Sequence, residues 1–237
     1  NGLTRASTIK ELFMLLEIGG NLEAANRLEE AKKTYQQAVD LDPLSPDAKT
    51  AISRVAKRLT KIKFSRLITL GYSSLGLRQF NDARSAFRSA QRLLPNSDKP
   101  NQGLEKVEQT IRNEKISSLT IEAKYFEDNE DWSYAAQSYQ QILALSPNMA
   151  FAVDGAEKAL QRAALLSALD DHIGSKDRLT SPLVAKEVRN LLQEIASLDS
   201  PGNKILQRAA FAKKLLELAN RPIWVTLQSD GQTEVVI

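Results

Sequence analysis

A spacing of 52 residues that recurs along the chain constrains its fold more than any other feature of the sequence. The stretch 119–147 holds two helix-length apolar patterns separated by a polar break at 128–131. Its small, aromatic and aliphatic residues and its closing proline have counterparts 52 and 104 residues earlier, without a gap. The three sets are Ala123, Ala135, Tyr139, Ile142 and Pro147; Gly71, Ala83, Phe87, Ala90 and Pro95; and Gly19, Ala31, Tyr35, Ala38 and Pro43. Three copies in register predict a helical repeat protein, in which each repeat packs on its neighbours.

Each copy resembles the tetratricopeptide (TPR) repeat. In that family a small residue lets two helices approach, an aromatic side chain fills the angle between them, and a proline ends the second helix. The resemblance implies an all-α, TPR-like α-solenoid of alternating long and short antiparallel helices. The copies are 52 residues long, whereas a TPR repeat has about 34. The added residues recur too, with a small residue at Ala51, Gly103 and Gly155, so we expect them to form a packed part of the repeat.

Element and domain boundaries follow from the apolar periodicity and from proline and glycine breaks. Helices are predicted at about 4–19, 22–41, 45–77, 81–94, 101–127, 131–145, 148–172, 182–198 and 204–218. They divide a helical domain over 1–221 into repeats at about 12–63, 64–115 and 116–167 and a degenerate capping repeat at 168–221. After Pro222, alternating apolar residues around Asp230-Gly231 predict a β-hairpin over 222–237, which is similar to the start of an appended, truncated β-sandwich domain.

Composition excludes several classes of protein. Hydrophobic residues make up 42% of the chain and charged residues 26%, which is typical of a folded protein rather than a disordered one. The net charge of +3 indicates no particular partner. The absence of cysteine excludes disulfides and thiolate metal sites. Because the chain also begins at Asn1 without a methionine, we expect a fragment, and we favour the cell envelope or periplasm over the cytoplasm.

Few residues are arranged for catalysis. His172, the only histidine, lies beside Asp170 and Asp171, a pattern that can orient a base or bind a metal. A histidine near a helix C-terminus, stabilised by the helix dipole, explains the same residues, and we favour it because no nucleophile or second set of ligands accompanies them. The sequence also lacks the nucleotide, zinc and serine-hydrolase motifs. We therefore expect a protein that is not an enzyme and that uses no cofactor, metal or small-molecule substrate.

The resemblance implies a partner-binding surface on the first helix of each repeat. The positions that line the groove in TPR proteins include Ile68, Tyr72 and Leu75 in the second copy and Lys124 in the third. Ile68, Tyr72 and Leu75 would form an apolar strip that binds a peptide helix or strand. Equally, the longer helices could cover this face internally. The family's carboxylate clamp is not expected, because the first copy lacks its lysine and asparagine.

A basic stripe on the first long helix offers a second surface. Arg54, Lys57, Arg58 and Lys61 line one face, which nucleic acid or an anionic membrane could contact. A solvated face explains the stripe as well and is favoured, because no aromatic residue interleaves with the cations, as single-strand binding requires. The acidic run at 127–131 could also neutralise the stripe, within one molecule or between two.

We expect one of three functions. The first is a non-enzymatic scaffold or adaptor that binds a protein or peptide through its repeat surface. The second is a structural spacer in a cell-envelope protein that carries a C-terminal β domain. The third is binding of an anionic surface through the basic helix 49–66, with nucleic acid a less expected partner. The edge of the predicted hairpin could also pair with a second copy, which allows a homodimer.

Overall fold

The computed structural model describes residues 2–222, with side chains from residue 6 onward. Within that range the chain is all-α, as predicted, with nine α-helices, one short 3-10 helix and no strand. The helices are α1 (Gly2–Ala24), α2 (Leu28–Leu41), α3 (Pro46–Gly76), α4 (Phe80–Leu93), α5 (Lys99–Asp128), α6 (Trp132–Leu145), α7 (Ala150–Gly174), α8 (Pro182–Ser197) and α9 (Asn203–Ala219), and the 3-10 helix is Lys176–Thr180. None of these helices is both long enough and apolar enough to cross a membrane. The hairpin predicted over 222–237 lies outside the described residues, of which Pro222 is the last.

The 52-residue spacing is present in the helix boundaries. The long helices α1, α3 and α5 end at Ala24, Gly76 and Asp128. The short helices α2, α4 and α6 have 14 residues each and start 52 residues apart. Between them lie α3 and α5, with 31 and 30 residues, and α7 follows with 25. The chain is therefore a helical protein whose helices recur in register, which is compatible with a helical repeat fold.

The turns between long and short helices repeat in their backbone conformation. Asn26, Arg78 and Glu130 have positive φ angles of 59°, 60° and 54°. In each turn the next residue donates its N–H to the carbonyl five residues before it; these bonds join Arg27 to Leu22, Gln79 to Ser74 and Asp131 to Phe126. A left-handed residue that closes a helix in this way satisfies carbonyls that have no partner in the last turn.

A buried aromatic ring on each short helix packs against small residues of the long helices. The rings are Tyr35 on α2, Phe87 on α4 and Tyr139 on α6. A Cβ atom placed on Gly71 would lie 2.6 Å from Phe87 Cε1, and one on Gly155 would lie 2.5 Å from Tyr139 Cζ. The other contacts of this kind join Gly19 to Tyr35 and Gly103 to Phe87. A side chain at any of these four glycines would force a ring to move, and Gly103 and Gly155 belong to the added residues of the repeat, which are therefore packed.

The chain divides into two compact units, Asn1–Arg112 and Asn113–Ile237, with the boundary inside α5. This division falls within the single helical domain expected over 1–221. In the first unit, Tyr35 and Val55 belong to one core and Phe87 to another. In the second unit, one core surrounds Tyr139, and two others join residues of α8 and α9 to residues of α7 and of the 3-10 helix.

Candidate functional site

The structure places the residues of the predicted peptide-binding strip in different environments. Ile68 and Leu75 are half-buried and pack against the core around Phe87. Tyr72 is 45% exposed and meets the Phe87 ring edge to face, with centroids 5.0 Å apart. Lys124 on α5 is exposed. The core around Phe87 thus covers part of Ile68 and Leu75, and the binding role of this strip stays a prediction.

The basic stripe lies exposed along α3. Its four residues line an open groove of about 610 Å³ together with Lys49; they are Arg54, Lys57, Arg58 and Lys61. Two of them bind the carboxylate of Glu23 on α1. Arg54 donates to Glu23 at 3.1 and 2.8 Å, and Arg58 donates at 3.2 Å. One carboxylate therefore neutralises part of the stripe inside the first unit.

Glu23 is held in its charged form by these arginines. Its side chain is only 12% exposed. The hydrogen bond from Arg54 lowers the pKa of the Glu23 carboxyl, Arg58 adds to the effect, and partial burial opposes it. Lys57 and Lys61 form no ion pair with another residue in the described range. The two lysines are therefore the cations of the stripe that remain open to an anionic ligand.

In the part of the chain that the structure describes, neither Asp170 nor Asp171 forms an ion pair or a hydrogen bond with His172. Asp170 Oδ1 instead forms an ion pair with Arg208 Nε, with the two atoms 3.0 Å apart. His172 lies in the last turn of α7, where a basic residue interacts favourably with the helix dipole. Among the side chains that the structure describes, no three His, Cys, Asp or Glu residues are grouped to hold a metal ion.

A groove of about 900 Å³ lies between α8 and α9 in the second unit, and we call it the α8–α9 groove. Its apolar lining residues are Leu192, Ile195, Ala196, Leu206, Ala209, Ala210 and Leu216. Ile195 is 2% exposed and closes the bottom, whereas Leu206 is 49% exposed at the side. An open apolar groove between two helices is a typical binding site for a peptide or a helix.

Charged side chains surround these apolar residues. Arg189 on α8, Lys213 on α9 and Arg221 just beyond α9 are exposed cations, and Glu217 is the one carboxylate among the lining residues. None of the three cations forms an ion pair with another described residue. The rim is therefore positively charged and open to an anionic group.

Helix α9 forms one side of the groove, and the carboxylate of Glu130, in the loop between α5 and α6, holds the first turn of this helix in place. Glu130 accepts hydrogen bonds from the backbone N–H groups of Asn203 and Lys204 at 2.6 and 2.7 Å. Lys204 Nζ donates to Asp131 Oδ1 at 2.9 Å. Gly202, with φ of 95°, lets the backbone approach, because a Cβ there would lie 2.6 Å from Glu130 Oε2. Glu130 thus caps the N-terminus of α9 from outside the helix, since the N-cap residue Gly202 has no side chain, and it places negative charge at the positive end of the helix dipole.

The turn before α9 is supported by a buried arginine. Arg162 on α7 is 9% exposed, and its guanidinium lies 5.1 Å from the centre of the Trp132 ring. Its Nη2 donates to the carbonyl oxygens of Ser200 at 3.0 Å and Asp199 at 3.3 Å. Cation–π and hydrogen-bonding contacts offset part of the cost of burying the charge, although Arg162 Nε is buried without a hydrogen-bond partner among the described residues. The second helix of the groove is therefore preorganised by residues of α6 and α7.

Sequence reasoning missed the α8–α9 groove. On α9, the apolar residues Leu206 and Ala210 line the groove, while the neighbouring Ile205 and Ala212 are buried in the core. A helix with apolar residues on two adjacent faces was the available signal, since one face packs in the core and the other has to be covered or to bind a partner.

No protein-family model matches the chain, and no curated protein does.

Proposed function

We propose that this chain is a TPR-like helical repeat scaffold that binds another protein and catalyses no reaction. The observation that carries the proposal is the 52-residue register, because it recurs in the helix boundaries, the left-handed turns and the aromatic contacts. Small residues facing a buried ring at a helix contact are the features by which the sequence resembles the TPR family. Repeats of this kind stack into solenoids with extended surfaces that suit protein binding.

The α8–α9 groove is the surface that best fits this function. Because a fold does not determine a function, the site has to be identified from its own residues. Leu206 is half exposed among the apolar lining residues, and three cations at the rim lack ion-pair partners among the described residues. Glu130 and Arg162 fix the start of α9, so the groove needs little ordering before a partner binds.

Photocrosslinking from inside the groove tests this proposal. A photoreactive phenylalanine derivative replaces Leu206, and in a matched control it replaces Leu160 on α7, which is equally 49% exposed but does not line the groove. In a lysate of the source cell, we expect a protein to crosslink from position 206 and not from position 160. Equal crosslinking from both positions, or none from position 206, would contradict the proposal.

A second candidate function is binding of an anionic surface through the basic stripe. It is supported by Lys57 and Lys61, which are exposed and have no ion-pair partner within the described range. Binding of anionic vesicles and of nucleic acid to the double variant Lys57→Glu/Lys61→Glu tests it. Lys32→Glu/Lys33→Glu on α2 is the control, because it changes the net charge equally. We expect binding that weakens with salt and is lost only in the stripe variant; equal loss in both would leave only a net-charge effect.

A further inference from the structure

We infer that the partner of the α8–α9 groove is an α-helix of a separate chain, with an apolar stripe and carboxylates beside it. The inference rests on the proposed function and adds the chemistry of the partner to it. The length of the groove, the small residues in its lining and the charge of its rim each point to this partner.

The groove follows α9 over most of its length. Leu206, Ala209, Lys213 and Leu216 of α9 recur at intervals of three or four positions, and Asn220 continues the stripe at the C-cap of the helix. At 1.5 Å per residue, this stripe extends for roughly 21 Å, or about four helical turns. A groove that runs along a helix for this distance accommodates the apolar stripe of a second helix of similar length.

Helices within the repeat pack closely through small residues. Ala51 and Val55 of α3 belong to the core that holds Tyr35 of α2, and Ala156 of α7 belongs to the core that holds Tyr139 of α6. Small residues at these contacts let the helix axes approach. The lining of the groove has the same character, because Ala196 of α8 and Ala209 and Ala210 of α9 belong to it. A helix can therefore lie as closely in the groove as the long helices lie on the short ones.

The rim determines the charge of the partner. Arg189, Lys213 and Arg221 outnumber Glu217, and none of the three cations has an ion-pair partner among the described residues. A helix with carboxylates beside its apolar stripe would bring opposite charges together, whereas lysines there would add repulsion. Because these pairs lie at an exposed rim, the apolar contacts provide most of the affinity and the charges provide specificity.

The chain's own C-terminal residues match this partner less well. Residues 223–237 contain apolar side chains and two carboxylates, Asp230 and Glu234. Ile223, Val225 and Leu227 alternate with other residues, which is the spacing of a strand and not of a helix stripe. A groove that extends along a helix for about four turns calls for apolar residues at i, i+3 or i+4, and i+7. The partner is therefore a different molecule.

Selection from a displayed library of helix-forming peptides tests the inference on the full chain. The library varies the apolar stripe and its flanking charges, and binders are counter-selected against the Leu206→Glu variant. We expect enriched peptides to carry Leu or Ile at helical spacing with Asp or Glu beside them. They should bind the Leu160→Glu control as well as the parent, and bind Arg189→Glu/Lys213→Glu roughly tenfold more weakly. Circular dichroism of each variant verifies that its helices are intact.

The outcomes separate this inference from the function on which it rests. Enrichment of neutral or basic flanks, or equal affinity for the Arg189→Glu/Lys213→Glu variant, would overturn the carboxylate chemistry even if position 206 still crosslinks a partner. Failure to enrich any peptide that depends on Leu206 would overturn the helical partner. An intramolecular crosslink from position 206 to residues 223–237 would contradict the claim that the partner belongs to a separate chain. Absence of any crosslink from position 206 would contradict the proposed function itself.

Discussion

Single aromatic side chains determine how closely the long and short helices approach. Phe87 is fully buried, and its ring faces Gly71 on α3 and Gly103 on α5. A Cβ atom on Gly71 would lie 2.6 Å from Phe87 Cε1 and one on Gly103 would lie 2.4 Å from it, so the ring would have to shift if either glycine gained a side chain. Glycine, which is unfavourable inside a helix by itself, is therefore retained for the space that it leaves.

Gly71→Ala should destabilise the protein. The new Cβ would lie 2.6 Å from Phe87 Cε1, and we expect a loss of about 1–3 kcal/mol from overpacking. Gly76→Ala on the same helix is the control, because a Cβ at that position meets nothing within 4 Å. The control should be neutral or more stable by up to about 1 kcal/mol. Urea denaturation measures both, and equal effects of the two alanines would contradict this role of Gly71.

Tyr139→Phe should change the stability of the protein at alkaline pH. Burial, followed by the charge of Glu127, raises the pKa of Tyr139 to about 12 from an ordinary value of 10.0. Between these values the unfolded chain loses the phenolic proton that the folded chain retains, so the free energy of unfolding falls as pH rises. The phenylalanine variant lacks this effect and should lose less stability than the parent. Urea denaturation at several pH values between about 9 and 11.5 tests this, and parallel curves would refute it.

Sequence patterns identified the aromatic and glycine positions of the repeat. They identified neither the left-handed turn residues nor the hydrogen bonds between polar side chains of different helices. The aromatic positions were visible because their residue type is similar in every copy. The left-handed turn residues were missed because Asn26, Arg78 and Glu130 have unrelated side chains, and only their shared position reveals them. The bonds from Arg54 and Arg58 to Glu23 join residues far apart in sequence, so they require the rotational phase of two packed helices.

Among the helices, α9 depends on a cap that another part of the second unit supplies. Glu130→Ala should destabilise the protein by about 1 kcal/mol, because two N–H groups at the start of α9 lose their acceptor. Glu122→Ala on α5 is a matched control, since this exposed glutamate lies in a helix interior away from α9. Hydrogen exchange should show faster exchange at Asn203 and Lys204 in the first variant only. Equal exchange in the two variants would show that Glu130 does not cap α9.

Helix boundaries were largely predictable, whereas the groove was not. Pro46 lies in the first turn of α3, and the side chain of Ser45 caps the helix by accepting a hydrogen bond from Ala48 N–H at 3.3 Å, so α3 begins close to the predicted residue 45. No helix is predicted between residues 172 and 182, but Lys176–Thr180 forms a 3-10 helix. The groove depends on how α8 packs against α9, and apolar periodicity assigns each helix a buried face without saying which neighbour covers it.

For the chain as a whole, the two compact units predict local rather than global loss of structure. Leu169 on α7 is fully buried in a core with residues of α8 and α9, and Leu169→Ala should cost about 2–5 kcal/mol. Hydrogen exchange should then accelerate in α7, α8 and α9 while α2 and α3 keep their protection. Equal acceleration in α2 would show that the chain unfolds as one cooperative unit.

The most direct test of binding in the α8–α9 groove uses the partner protein that crosslinks from position 206. The affinity of this partner is measured for three purified chains: the parent, Leu206→Glu and Leu160→Glu. The exchanged leucines are equally exposed, so the variants differ only in whether the changed residue lines the groove. Calorimetric titration should give the same Kd for the parent and Leu160→Glu. The Kd for Leu206→Glu should be higher by roughly tenfold or more, because a charge replaces an apolar side chain that the bound partner would bury. Equal affinity for all three chains would show that the partner binds elsewhere.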